Sequence, residues 1–77
     1  MKLYLISQDE NSDYDTYDSA VVAAQDAHHA SLIAPGGSFG GNYGSWCSAP
    51  DKVSVKYLGA AAAGIPAGIV LASFNAG

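Results

Sequence analysis

An acidic, turn-forming segment separates two apolar stretches near the start of the chain, and this arrangement limits the folds that the sequence can adopt. Residues 2–8 alternate with the two-residue period of a strand. Residues 9–16 are rich in Asp, Asn and Ser, which favour turns because their side chains bond to the local backbone. Residues 17–24 indicate a second strand centred on two valines. The sequence therefore predicts two antiparallel strands joined by a projecting loop.

The acidic segment also holds most of the charge of the chain. Five of the seven acidic residues lie within ten positions, and no basic residue interrupts them. Together with two interleaved tyrosines they form the predicted protein-binding set: Asp9, Glu10, Asp13, Tyr14, Asp15, Tyr17 and Asp18. Carboxylates form charge-assisted hydrogen bonds with Arg, and Tyr provides rigid contact area at low entropic cost. The segment favours recognition of a basic protein surface.

The rest of the chain predicts one helix and two further strands. Residues 25–34 have helical spacing, with an Asp near the start and Pro-Gly-Gly after the end. Residues 52–59 alternate as a third strand, and residues 68–75 form a fourth, whose aliphatic run at 69–72 favours a central position. The predicted fold is α+β with the order β-β-α-β-β. We expect residues 1–77 to form a single domain, a four-stranded, mostly antiparallel sheet with one helix packed on one face.

Length and charge argue against several classes of function. A chain of 77 residues has a marginal core, worth about 3–5 kcal/mol net, and little material for a catalytic cleft. The net charge of −4 argues against direct binding of nucleic acid, which needs cations to neutralise phosphates. The apolar runs fall short of the roughly 20 residues that span a membrane. We expect a cytoplasmic monomer or homodimer that binds no membrane.

A solvated acidic loop with no specific ligand is the main alternative reading of the acidic segment, and a calcium loop is a lesser one. Four oxygen-bearing residues occupy positions one, three, five and seven of that pattern: Asp9, Asn11, Asp13 and Asp15. The pattern then fails, because Tyr14 stands where the sharp turn requires Gly and Ala20 stands where a bidentate Glu is needed. We therefore predict no metal site, and a small metal-binding protein remains a minor alternative.

The histidines and the cysteine do not predict an enzyme. His28 and His29 diverge by about 100° around a helix, so they cannot hold one metal together. Cys47 has no base near it in the sequence, and a buried, inert thiol is expected. As the single cysteine it also excludes an intramolecular disulfide, and intracellular residence is then the default. We predict a protein with no catalytic residues and no cofactor.

The Gly-rich segment at residues 36–49 is the rival contact surface. It carries Phe39, Tyr43 and Trp46, and it lacks the Gly-Lys-Ser/Thr ending of a phosphate-binding loop. It also follows a helix and precedes a strand, which is the reverse of the nucleotide-binding context. Its aromatic side chains are expected either to cover the sheet or to contact a partner.

Three segments resemble a known family: MKLYLISQDEN at 1–11, YDTYDSAVVAA at 14–24 and VLASFNAG at 70–77. Through them the whole chain resembles small phage- and prophage-encoded proteins and is similar to the anti-CRISPR family acting on type I-C CRISPR-Cas systems. Residues 28–50 depart from the Glu-rich helix of that family.

The resemblance implies a protein that binds Cascade, the crRNA-guided surveillance complex, in the host bacterial cell and blocks its binding to target DNA. An acidic loop would then occupy a Lys/Arg-rich surface as a mimic of DNA phosphates. The alternative is a phage accessory module that binds a different host protein through the same loop.

Overall fold

The computed structural model describes residues 1–9, 16–36, 39 and 46–75, which contain one antiparallel sheet and one short α-helix. The strands are β1 (Lys2–Ser7), β2 (Thr16–Ala24), β3 (Ser54–Ala60) and β4 (Gly68–Asn75). The helix α1 spans Ala27–Ser31, and a 3-10 turn at Pro50–Lys52 leads into β3. The strand order is β3-β1-β2-β4, which confirms the predicted α+β fold.

One face of the sheet, the core face, carries the hydrophobic core. Residues directly opposite each other in an antiparallel ladder share a face. Tyr4 therefore lies beside Val22, and Ile6 beside Ala20, and all four side chains are buried. β3 extends this face with Tyr57, whose ring meets that of Tyr4 edge-on at 5.6 Å between centroids.

Part of the Gly-rich segment completes this core. Trp46 and Cys47 are fully buried, and Phe39 packs against the same cluster. The thiol of Cys47 donates to the carbonyl of Ala49 at 3.4 Å. The expected burial of Cys47 is confirmed, and the aromatic residues described in this segment cover the sheet.

The helix is shorter than the ten residues predicted. Asp26 is its N-cap: the backbone there is extended, and the side chain accepts a hydrogen bond from the His29 amide at 2.8 Å. The α-helical bonding stops at Ser31, because the Leu32 and Ile33 amides donate to the His29 and Ala30 carbonyls, three residues back, at 3.1 and 3.2 Å. Ala30 is buried against the core, so α1 packs on the core face through a small side chain.

The predicted central position of β4 is wrong. β4 is an edge strand that pairs with β2, and its three large aliphatic side chains, Ile69, Val70 and Leu71, are all exposed. A continuous aliphatic run such as this one is typical of a strand that is buried on both faces. A strand is central, however, only if it pairs with a neighbour on each side. β1 and β2 occupy the two central positions instead.

The other face of the sheet, the open face, is crossed by two rows of residues in register. The first row is made of serines: Ser54, Ser7, Ser19 and Ser73. The second row is mostly aliphatic: Lys56, Leu5, Val21 and Leu71. A shallow groove of about 310 Å³ lies over the β2–β4 side of these rows. The open face thus combines hydroxyl groups with partly exposed aliphatic side chains.

Candidate protein-binding site

Three residues of the predicted protein-binding set lie within the described structure. Asp9 follows the end of β1, and Tyr17 and Asp18 lie near the start of β2. Ser7 pairs with Ser19, so both strand ends meet at the same end of the sheet, which we call the acidic end. The other members of the set, Glu10, Asp13, Tyr14 and Asp15, lie outside the described residues.

Gln8 joins the two strands at the acidic end. Its backbone N–H donates to the Asp18 carbonyl at 3.1 Å, and its side-chain amide donates to the Tyr17 carbonyl at 2.9 Å. Gln8 is itself buried, so these bonds form where water competes weakly. They continue the pairing beyond the β1–β2 ladder and fix the distance between the two ends of the acidic segment. From the sequence, Gln8 is predicted only as the last residue of a strand. The signal for its role is a side-chain amide on the face of β1 that also carries the buried Tyr4 and Ile6.

Asp18 occupies an irregular position of β2. Tyr17 pairs with Phe74 and Ser19 with Ser73, so Asp18 is the extra residue of a β-bulge. Bulges bend the strand locally and redirect a side chain. The Asp18 side chain is exposed, and its Oδ1 accepts a hydrogen bond from the Ser19 hydroxyl at 3.3 Å. The bulge presents this carboxylate to solvent.

The two other described members of the set differ in exposure. Asp9 is exposed, while Tyr17 is half-buried and packs against the core cluster. Part of the tyrosine ring therefore stabilises the fold, and only the remainder is accessible to a partner. At the acidic end, Asp9 and Asp18 supply the charge and Tyr17 supplies limited contact area.

Two of the three lysines lie away from these two carboxylates along the sheet. Lys2 pairs with Ala24 at the opposite end of the β1–β2 ladder, and Lys56 lies opposite Leu5 in the middle of β1. Lys52 belongs to the 3-10 turn that precedes Ser54, and Ser54 pairs with Ser7, so Lys52 lies at the acidic end on the β3 side. β1 separates β3 from β2, so the strand that follows Lys52 is not adjacent to the strand that bears Asp18.

A carboxylate–imidazole pair lies at the far end of the sheet, at the start of α1. Asp26 Oδ1 is 2.8 Å from His29 Nδ1, and both side chains are about half exposed. The His29 backbone N–H, followed by the His29 ring, holds the pKa of Asp26 below its ordinary value of 3.8. His28 and His29 are both exposed. This pair caps a helix, which explains its geometry without a ligand.

Within residues 1–9, 16–36, 39 and 46–75, no three His, Cys, Asp or Glu side chains are grouped as metal ligands. None of the helices described there is long and apolar enough to cross a membrane. Three of the four residues of the calcium-like pattern, Asn11, Asp13 and Asp15, lie outside the described structure. The described geometry therefore offers carboxylates on a surface as its main chemical feature.

No protein-family model matches this sequence, and no curated protein or solved structure matches it either.

Proposed function

We propose that this protein is a non-enzymatic inhibitor that binds the type I-C Cascade complex and blocks its binding to target DNA. The resemblance to the anti-CRISPR family acting on these systems motivates the choice of target. The observation that carries the mechanism is the convergence of Asp9 and Asp18 at one end of the sheet, where Gln8, next to Asp9, donates two hydrogen bonds to β2.

Electrostatics supports a contact through this end. A complex that holds DNA must expose Lys and Arg toward the phosphates. Asp9 and Asp18 are exposed and stand at the two ends of a segment that contains five acids and no base. Opposite charge of this kind accelerates encounter and orients the partner, and charge-assisted bonds to Arg then hold it. The inhibitor would occupy the DNA-binding surface sterically, without cofactor or catalysis, in the cytoplasm of the host cell.

Matched charge variants test whether the acidic end is the contact. Asp9→Asn with Asp18→Asn removes two charges at the acidic end, and the control pair, Asp26→Asn with Gln25→Lys, changes exposed residues at the opposite end of the sheet. Each pair changes the net charge from −4 to −2. Asn also caps helices well, so the control pair keeps its fold. We expect the first pair to weaken binding to purified Cascade by about tenfold or more and to reduce its salt dependence. The control pair should bind like the wild type.

Each result of this comparison is informative. Equal weakening by both pairs would mean that net charge alone matters and that the acidic end is not the contact. Full inhibition by a folded variant with all five acids of the segment changed to Lys would indicate that residues 36–49 make the contact instead. Binding of the wild type to a different host protein, with no effect on Cascade, would support the accessory-module alternative.

A further inference from the structure

The two edges of the sheet differ in their protection against pairing with another strand. An edge strand directs alternate N–H and C=O groups away from its one neighbour, and proteins commonly protect such edges with Lys or Pro. β3 carries Lys56 and follows Lys52. β4 contains neither a charged residue nor a proline, and within the described residues it pairs with β2 on one side. β4 is therefore the unprotected edge.

β4 also exposes a run of aliphatic side chains. Ile69 is 45% exposed, Val70 48% and Leu71 69%, and the last of these borders the groove on the open face. Val70 is the extra residue of a bulge, because Val21 pairs with Leu71 and Val22 with Ile69. The ladder with β2 is regular again from Leu71 to Ser73. An exposed aliphatic edge with a regular stretch has the features of a strand-pairing site.

We infer that β4 pairs antiparallel with β4 of a second copy of the chain, about a two-fold axis within Leu71–Ser73, to give a continuous eight-stranded sheet. Two copies that each carry a net charge of −4 repel each other, and this repulsion is weakest when the surfaces that meet contain no acidic residues. β4 has no charge, so self-pairing puts no like charges opposite each other. Pairing also closes the outer side of the groove with Leu71 of the second copy. A small domain with a marginal core gains buried surface in this way.

Sedimentation of the purified protein tests this inference without any Cascade. Between about 1 and 300 μM we expect the mass to rise from 7.8 kDa to twice that value, because dimers form by mass action. Leu71→Lys should raise the dissociation constant of the dimer by about tenfold or more, since it places two cations beside the axis. The matched control is Leu58→Lys, on the exposed part of the other edge, which should leave the dimer unchanged.

Cysteine cross-linking locates the axis. Only a side chain on the two-fold axis lies directly opposite its own copy, so one of the variants Leu71→Cys, Ala72→Cys and Ser73→Cys should form an intermolecular disulfide under mild oxidation and thereby mark the axis. Leu58→Cys should not, and the buried Cys47 leaves the parent chain without a cross-link. If Leu71→Lys does not fold, Val70→Lys takes its place.

Three outcomes overturn the inference. The first is a wild-type protein that remains monomeric at the highest concentration. The second is a dimer that Leu58→Lys dissociates and Leu71→Lys does not. The third is a dimer that only Leu5→Lys dissociates, which would indicate face-to-face packing of the open faces.

Discussion

The core face and the open face of the sheet are built from the same strands, yet they differ in what covers them. Neighbouring residues of β1 show the contrast: Ile6 is fully buried in the core, while Leu5 is half-buried over the groove. Trp46 and α1 account for the difference, because both pack on the core face. The alternation of residues along a strand identifies the two faces of the sheet. Which face stabilises the fold and which remains available for contacts depends on where Trp46 and α1 pack.

Removing the largest covering side chain should have the largest effect. Trp46→Ala is expected to cost about 3–5 kcal/mol, which equals the whole net stability of about 3–5 kcal/mol that a domain of this size provides. The variant should therefore be unfolded at 25 °C by near-UV circular dichroism and urea titration. Trp46→Phe, which keeps an aromatic ring, serves as the control. Cooperative unfolding of Trp46→Ala at a urea midpoint near that of the wild type would show that the core face does not depend on this cover.

Neighbouring substitutions in β1 compare the two faces directly. Ile6→Ala should lower the free energy of unfolding by about 2–5 kcal/mol, because it leaves a cavity in the core. Leu5→Ala should cost about 1 kcal/mol, since its side chain is only partly buried. Urea titrations at low micromolar concentration measure both. Equal costs would mean that the open face is covered as completely as the core face.

The amide of Gln8 should make a smaller contribution at the acidic end. Gln8→Ala removes the 2.9 Å hydrogen bond to the Tyr17 carbonyl and leaves that carbonyl without this donor. The free energy of unfolding should therefore fall by about 1 kcal/mol. Gln25→Ala, at an exposed position, is the control and should change little. A Gln8→Ala variant as stable as this control would remove the physical reason for a fixed separation between Asp9 and Asp18.

The smallest expected effect concerns the cap of the helix on the core face. The pKa of Asp26 is lowered on folding, so its ionised form stabilises the native state above the ordinary value of 3.8, and this contribution disappears as the pH falls through the lower folded pKa. Subtracting the stability curve of Asp26→Asn from that of the wild type isolates this group. We expect this difference to fall as the pH drops below about 4. A difference that stays constant between about pH 5 and about pH 2 would contradict the assignment.

Much of the fold could be predicted from local sequence patterns. The alternation of β1, the pairing of β1 with β2 and the position of Asp26 near the start of the helix were all predictable, because each depends on a few neighbouring residues. The edge position of β4 was not predictable, since Ile69–Ala72 reads as a two-sided strand whether or not a second neighbour exists. The five-residue length of α1 was not predictable either, since the tighter bonds of Leu32 and Ile33 end the helix well before Pro35 does.

The candidate site was predictable in composition and less so in geometry. The cluster of acids is visible in the sequence, and the exposure of Asp9 and Asp18 follows from their charge. The bulge at Asp18 and the bonds from Gln8 depend on the register between β1, β2 and β4, which no local pattern encodes. The partial burial of Tyr17 has the same origin, because it requires the tertiary core.

Binding of target DNA by type I-C Cascade in the presence of this protein tests the central claim most directly. Cascade is incubated with increasing amounts of the wild-type chain before labelled target DNA is added, and bound DNA is measured. The account predicts that bound DNA falls to the background level once the inhibitor saturates the complex. Undiminished DNA binding at saturating protein would contradict it.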